Sequence, residues 1–319
     1  MGLSRTTRSE VDELLEELGL TGPRPKKQLA REVFAAEVRR EIECLAELPT
    51  MPETARLVLR LRNDRSAGVK QLAAAVENDP GLAAQMVCYA RLPLFGYGDR
   101  INSVQKAIGL VLGFDQGVHM ALGMTAGRNL RMPGRGPLGR EAYWRHALYS
   151  ATLTQTLGER MPRERRPSAG TTYLAGLLHN IGYLLLGHLH PEEFSHLNAI
   201  CDSSPLPSVR DLELQVLGVR HELLGTWLLK SWEMPPEVIV AAREHHFPDY
   251  GGEHATYAKL VLLADRALAL RDITMSGERS IPEHVVDELG LDMDQVLDAT
   301  ETLFGMGSEL DDMAEKLAA

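Results

Sequence analysis

Side chains that could hold divalent metal ions recur between residues 146 and 265. In chain order they are His146, His179, His221, His245, His246 and Asp265. Imidazole nitrogens and carboxylate oxygens suit borderline transition metals. Two such ions held side by side can activate water for attack on a phosphoester. The residue types and their order therefore indicate the metal site of a helical two-metal phosphohydrolase.

Asn180 directly follows His179, at the point where such a site needs a second carboxylate. An amide supplies one weak, neutral oxygen, so it cannot bridge two cations as a carboxylate does. The lost negative charge also leaves more of the metal charge uncompensated. We therefore expect a weakened site, with Asn180 among its ligands, that could still hold one divalent ion such as Zn, Fe, Ni or Mn. No catalytic residue is assigned.

Helices must position these ligands. Apolar residues recur every three or four positions around His146 and around Asp265, which predicts that both lie on the buried faces of helices. A carboxylate on an apolar stripe costs several kcal/mol unless it is paired or bound to metal, so Asp265 needs a partner. His179 and Asn180 interrupt an otherwise apolar segment, and we expect them inside one helix over residues 172–186.

The whole sequence favours an all-α fold, because no segment shows the alternation of a strand. The predicted helices cover residues 9–18, 28–46, 52–63, 68–78, 80–91, 104–112, 116–130, 141–160, 172–186, 191–203, 208–217, 221–232, 236–245, 255–270, 282–289 and 291–317. Proline and glycine cluster between Arg131 and Arg140, which indicates a junction between subdomains. We predict an N-terminal appendage and linker over 1–27, an N-terminal helical subdomain over 28–135 and a second helical subdomain over 136–319.

Several motifs carry a family resemblance. The segment from Leu177 to Gly182 resembles the signature of the HD superfamily with its Asp replaced by Asn180. Upstream, residues 48–53, 77–82, 92–96 and 101–108 resemble the HDOD domain, and the likeness runs from about residue 42 to about residue 270. The resemblance implies an all-helical fold whose second subdomain is HD-like. It also implies a role in bacterial signalling, which the domain usually serves without demonstrated catalysis.

Tyr183 marks a second departure from the hydrolytic relatives. In those that hydrolyse cyclic-di-GMP, the resemblance places a lysine at this position, where it can contact a substrate phosphate. A tyrosine offers a neutral donor in place of a fixed positive charge, so phosphate binding should weaken. The changes at Asn180 and Tyr183 both favour a pseudoenzyme.

Composition excludes some classes of protein. The formal charge of −10 and the pI near 5.6 argue against a nucleic-acid binder, since phosphate backbones are bound by clustered Lys and Arg. No apolar run approaches the roughly 20 residues of a membrane span. Three widely spaced cysteines predict neither a disulfide framework nor a zinc knuckle. A cytoplasmic protein without nucleic-acid or membrane partners is expected.

Taken together, the sequence predicts a non-catalytic bacterial signal-transduction protein that acts through protein–protein interaction. Its expected partner is a cyclic-dinucleotide enzyme or a two-component protein, and the chain could also pair with a second copy of itself. Two alternatives stay open. One is a metal-dependent phosphohydrolase acting on a nucleotide or cyclic dinucleotide, and the other is a ligand-sensing module that uses the former catalytic pocket.

Overall fold

The computed structural model describes residues 48–203, 209–275 and 277–318. Within these ranges the chain forms helices and no strand, which confirms the predicted all-α fold. The predicted helices over 9–18 and 28–46, together with the appendage over 1–27, lie outside the described residues. The division into subdomains at residues 135 and 136 stays a prediction.

The first half of the described chain contains short helices. They are α1 (Glu53–Asn63), α2 (Val69–Glu77), α3 (Pro80–Ala90), α4 (Val104–Lys106), a π-helical segment (Ala107–Leu112) and α5 (Gly113–Ala126). Local sequence sets several of these starts. The Asp79 carboxylate caps α3 by accepting from the amide of Leu82 at 3.0 Å, and Pro80 occupies the first turn, where no helical donor is lost.

The second half supplies the elements that carry the candidate ligands. They are α6 (Arg140–Arg160), α7 (Ala169–Leu178), α8 (Ile181–Leu189), α9 (Pro191–Ser203), α10 (Val209–Leu217), α11 (His221–Ser231), α12 (Pro236–Glu244), α13 (Ala255–Ala269), α14 (Glu283–Leu289), α15 (Met293–Phe304) and α16 (Gly307–Ala318). Helix α6 is central, since it packs against α7, α13, α15 and α16.

The two halves share one hydrophobic core. The rings of Tyr89 on α3 and Tyr173 on α7 meet edge to face with centroids 5.2 Å apart. The Gln116 side-chain amide on α5 donates to the side-chain oxygen of Gln155 on α6 at 3.0 Å. Polar and aromatic contacts therefore tie the first half to the central helix that carries His146.

Two of the predicted long helices are wrong, because the structure has two shorter helices in the place of each. The helix predicted over 172–186 breaks after Leu178, and His179 Nδ1 donates to the carbonyl of Gly176 at 2.8 Å, which satisfies a helix-end acceptor with a side chain. The helix predicted over 291–317 breaks between α15 and α16, where Gly305 and Gly307 flank the buried Met306. Glycine is a poor helix former, which favours the turn there.

The expectation that no apolar segment approaches the length of a membrane span is wrong for the helical stretch Val104–Ala126. Over the described residues, this one stretch is long and apolar enough to cross a membrane by length and composition, and 67% of its apolar window is buried inside the protein. The π-helical segment joins α4 to α5, so a continuous helix forms although Lys106 and Asp115 interrupt the apolar run. The core helix of a soluble protein passes the same test.

Candidate metal centre

Close contact between α6 and α7 brings His146 to His179. A Cβ added to Gly176 on α7 would lie 2.8 Å from the Cα of Ala151 and from the carbonyl oxygen of Ser150 on α6. Only glycine permits this approach of the two backbones. As a result the Nε2 atoms of His146 and His179 lie 3.3 Å apart.

Asp265 completes the first ligand group from the middle of α13. Its Oδ1 lies 3.2 Å from His146 Nε2, and its side chain is 3% exposed. His146, His179 and Asp265 offer ligand atoms within 4.8 Å of one another, and we call them the Asp265 group. The partner that sequence periodicity required for this carboxylate is therefore His146.

A second close approach places His221 against the turn that carries Asn180. A Cβ added to Gly182 on α8 would overlap the carbonyl oxygen of His221 and lie 2.7 Å from its carbonyl carbon. Gly225, one turn further along α11, packs on the same residue, with its ideal Cβ position 3.2 Å from the Gly182 amide nitrogen. These glycines let the first residue of α11 reach the ligand cluster.

His245 and His246 follow directly after α12 and complete a second group with His221. The Nε2 atom of His221 lies 3.5 Å from that of His245 and 3.2 Å from that of His246. We call these residues the three-histidine group. His179 and His245 were predicted within helices, but His179 lies in a turn, and His245 lies with His246 in a turn beyond the end of α12.

Hydrogen bonding fixes the tautomers of three of these imidazoles. Nδ1 faces a carbonyl in His179 (Gly176, 2.8 Å) and in His245 (Ala242, 2.9 Å), and a carbonyl oxygen can only accept. His221 Nδ1 faces the carboxylate of Glu213 at 2.8 Å. Because Nδ1 holds the proton in each neutral ring, each Nε2 presents a lone pair to the others. Converging lone pairs repel unless a cation lies between them.

The spacing of these nitrogens fits a metal ion. Tetrahedral Zn–N bonds of about 2.0–2.1 Å place the ligand nitrogens about 3.3–3.4 Å apart. The separations of 3.2 and 3.5 Å around His221 Nε2 bracket that value. Within the Asp265 group, the His146 Nε2 atom also lies 3.3 Å from the His179 Nε2 atom. Both groups therefore have the donor types and spacing of divalent transition-metal sites.

Asn180 directly follows His179 of the Asp265 group and is 3% exposed. Its side-chain Oδ1 is buried and has no hydrogen-bond partner among the described residues. An unsatisfied buried amide oxygen costs roughly 1–3 kcal/mol, so a ligand or a bound water at this oxygen would be stabilising. The predicted Asn180 ligand is thus buried beside His179 with an unused acceptor.

All seven predicted ligands are buried. Their exposed fractions run from 0% to 5% for His146, His179, Asn180, His221, His245, His246 and Asp265. Two surface cavities, of about 520 and 620 Å³, lie elsewhere. One is lined by Arg145 and Asp311, and the other by Lys106 and Leu110.

Glu213 and Glu222 are site residues that the sequence analysis missed. Glu213 on α10 is fully buried and contacts His221 Nδ1, and Glu222 Oε2 lies 3.3 Å from the same nitrogen. A signal was available for Glu213, because it falls on one helical stripe with the buried Val209 and Leu217. Like Asp265, Glu213 is a carboxylate on an apolar stripe and therefore needs a partner.

Tyr183 does not face the ligand groups as a donor to phosphate. Its hydroxyl donates to Glu213 Oε1 at 2.5 Å, and its ring stacks on His221 with centroids 4.3 Å apart and planes inclined by 16°. The side chain is fully buried. Because the Tyr183 hydroxyl is committed to a carboxylate, it is not a free donor for a phosphate; the predicted loss of phosphate affinity stays a prediction.

Burial and neighbouring charges shift the pKa values of the histidines in different directions. Burial, with His146 nearby, lowers the pKa of His179 to about 3. Burial and neighbouring histidines also lower the pKa of His245 and of His246 well below the usual range. Burial opposes charge on His221 too, but Glu213 and Glu222 outweigh it and raise the pKa of His221. Neutral imidazole is the form that binds metal.

Asp265 is held in its ionised form. Burial would raise the pKa of its carboxyl group, but the hydrogen bond and charge of His146 prevail and lower that pKa below its usual range. An ionised carboxylate in the same group as the imidazole of His179, which burial keeps unprotonated, is a donor set that attracts a cation.

Comparison with known proteins agrees with this fold. Residues 48–248 match the HDOD domain, so the chain belongs to the HDOD domain family. A solved structure of a candidate signal transduction protein from Marinobacter aquaeolei VT8 is 33% identical, with a TM-score of 0.76, and the match covers 89% of this chain and 66% of that one. A candidate metal-dependent phosphohydrolase from Shewanella amazonensis SB2B shares the fold at 19% identity and a TM-score of 0.64, covering 88% of this chain and 99% of that one.

An uncharacterized protein of Treponema pallidum (strain Nichols) is 23% identical over 258 residues. The match covers 80% of this chain and 48% of the relative, so the chain spans about half the length of that curated relative. Family membership and the buried histidine and carboxylate groups together make this an HDOD protein with candidate metal-binding groups.

Proposed function

We propose that this chain is a non-catalytic signal-transduction protein that acts through contact with another protein and holds one divalent metal ion at a buried site. The observation that carries the proposal is the burial of the ligands, none of which is more than 5% exposed. A phosphoester must reach the metal ions for hydrolysis to occur. A site closed in this way supports a structural or regulatory ion.

Charge balance supports a single ion. Asp265 and Glu213 each contribute one negative charge, while the charge of Glu222 is balanced by Arg210, whose Nη2 lies 2.7 Å from Glu222 Oε1. One divalent cation would neutralise the two remaining carboxylates. A second would leave two positive charges buried without compensation, which is costly in a low-dielectric interior. A carboxylate at position 180 would have offset part of that cost.

Two side chains that could donate hydrogen bonds to a phosphate already donate to carboxylates. Tyr183 donates to Glu213, and the Arg210 guanidinium donates to Glu222 and stacks over the Phe247 ring at 4.9 Å. Hydrogen-bond donors aimed at developing charge supply much of the rate enhancement of hydrolytic enzymes. Their engagement with carboxylates supports a binding role.

The partner and location follow the same proposal. The similar protein from Marinobacter aquaeolei VT8 is described as a candidate signal transduction protein. We extend this role to the present chain as a cytoplasmic bacterial protein whose partner is a cyclic-dinucleotide enzyme or a two-component protein. The former catalytic pocket is then kept because its metal and its buried polar network stabilise the partner-binding fold.

The test is to titrate the metal-loaded protein with cyclic-di-GMP and to record binding by calorimetry and products by chromatography. The proposal predicts no product above the level of a His179→Ala variant. Turnover that is lost in His179→Ala would favour a metal-dependent phosphohydrolase. Binding without turnover would favour the ligand-sensing alternative.

A further inference from the structure

We infer that Glu213 is the positioning residue that prepares His221 to bind a metal ion in the three-histidine group. The inference rests on the proposed function only in treating these histidines as metal ligands. In this inference Glu213 acts by positioning His221 and does not contact the ion itself.

Glu213 contacts the His221 ring at the nitrogen that faces away from the other histidines. Glu213 Oε1 lies 2.8 Å from His221 Nδ1, and Glu213 Oε2 accepts from the backbone amide of His221 at 3.0 Å. The opposite ring nitrogen, Nε2, faces His245 and His246. A carboxylate bonded to the remote nitrogen of a metal-binding histidine fixes its tautomer and makes the imidazole a better donor.

Glu213 itself is poorly placed to be a ligand. Its carboxylate already accepts from three donors, namely the Tyr183 hydroxyl at 2.5 Å, His221 Nδ1 and the His221 amide. These bonds occupy both oxygens. The cluster formed by Glu213, His221 and Glu222 has metal-like spacing, but both Glu213 oxygens already accept hydrogen bonds, so Glu213 supports the three-histidine group from outside.

The ring of His221 is restrained in two further ways. Tyr183 stacks on one face with centroids 4.3 Å apart, and the same tyrosine holds Glu213 through its hydroxyl. The residue is fully buried at the start of α11. A ring held by a stack and by a carboxylate loses little conformational entropy on metal binding, which favours affinity.

Glu222 offers a natural comparison on the same nitrogen. Its Oε2 lies 3.3 Å from His221 Nδ1, and its Oε1 accepts from Arg210 Nη2 at 2.7 Å and from Nε at 3.0 Å. The longer contact and the competing guanidinium make Glu222 the weaker influence on His221. Removing the charge of Glu213 should therefore weaken metal binding more than removing that of Glu222.

The experiment compares Glu213→Gln, Glu222→Gln and Tyr183→Phe. Affinity for Co²⁺ and Zn²⁺ is measured by competition with a chromophoric chelator, and thermal unfolding in EDTA checks the fold of each variant. We expect Glu213→Gln to lose about 10- to 100-fold in affinity, as outer-shell changes typically do. Glu222→Gln and Tyr183→Phe should stay within about threefold, because the Glu213 contact to His221 survives in both.

Affinity of Glu213→Gln within threefold of the unaltered protein would overturn the inference, as would equal losses in all three variants. If Glu213→Gln does not fold in EDTA, ¹⁵N spectra of the unaltered zinc-loaded protein decide the matter. Protonated Nδ1 with metal-bound Nε2 at His221 supports the inference, and metal-bound Nδ1 contradicts it. Neither readout depends on turnover, so failure of the non-catalytic proposal would be seen separately.

Discussion

The imidazole rings of His179 and His245 lie edge to face with centroids 4.8 Å apart, although they belong to different ligand groups. The Asp265 group and the three-histidine group are therefore adjacent. Two ions so close together need a bridging carboxylate to screen their repulsion. Asn180, which directly follows His179, supplies an amide. This relationship makes single occupancy the expected state and leads to the following predictions.

Replacing a ligand should abolish tight metal binding, whereas replacing a buried histidine elsewhere should not. We expect His245→Ala to lower Zn²⁺ affinity more than about 100-fold, because loss of a ligand exceeds the 10- to 100-fold cost of outer-shell changes. His119→Ala is the matched control, since His119 is also buried but contacts Asp115 and Thr171 instead. Isothermal titration of both variants makes the comparison. Equal loss in the two would show that fold damage, and not ligation, controls affinity.

Asn180→Asp should make stability depend on metal. The new carboxylate would be buried, and the amide oxygen it replaces has no partner among the described residues, so in EDTA we expect a loss of about 1–3 kcal/mol. Added Zn²⁺ or Mn²⁺ should reverse the loss and raise the amount of bound metal. Asn198→Asp is the control, because Asn198 is buried against the backbone of Arg135 and Leu138 and should show no metal-dependent recovery. Denaturant unfolding with and without metal distinguishes them.

Gly182→Ala should damage both stability and metal binding. The added methyl group would overlap the His221 carbonyl, and neighbouring backbone cannot move aside as a flexible side chain can. Overpacking typically costs about 1–3 kcal/mol. Gly109→Ala is the control, because its nearest neighbour would be Val69 at an ordinary 3.7 Å. Urea unfolding of the two variants checks the prediction, and equal stability of both would contradict the close contact between α8 and α11.

Acid should destabilise the protein partly through His119. Burial lowers the pKa of His119, with Asp115 opposing. Below the unfolded pKa of about 6.5 the unfolded chain takes up a proton that the folded state refuses. Stability is therefore lost as pH falls below that value, by at most about 1.4 kcal/mol per pH unit for one proton.

A His119→Gln variant isolates this contribution. Both proteins are unfolded with denaturant in EDTA at pH values between 8 and 5, so that metal release does not add to the pH dependence. The unaltered protein should lose more stability than the variant over this range. Parallel curves would show that His119 titrates alike in the folded and unfolded chains.

Much of the fold was predictable because its helices follow local rules. Helical periodicity and proline starts predicted α1, α3 and α6 to within one or two residues. The same periodicity placed His146 and Asp265 on buried faces of helices, and the structure brings them within 3.2 Å. It could not reveal the break at His179, because the flanking residues are apolar on every side, and the bond from the His179 side chain to the Gly176 carbonyl at the end of α7 leaves no periodic signal.

The carboxylates that contact the ligand histidines were harder to predict from the sequence. Glu213 precedes His221 by eight residues, and only the packing of α10 brings the two together. In sequence it stands near Asp211, an ordinary exposed acid. Likewise Tyr183 could be aligned with a phosphate-binding lysine, but its direction toward Glu213 depends on the contact between α8 and α11 that Gly182 allows. Such features come from tertiary packing, which local pattern does not encode.

We propose that Asn180 and the buried charges limit the site to one ion and thereby prevent two-metal hydrolysis. Elemental analysis can count the bound ions in the unaltered protein, purified without added metal and then dialysed against Zn²⁺ or Mn²⁺. We expect no more than one tightly held metal ion per chain. Two tightly held ions per chain in the unaltered protein would show that the proposal is wrong.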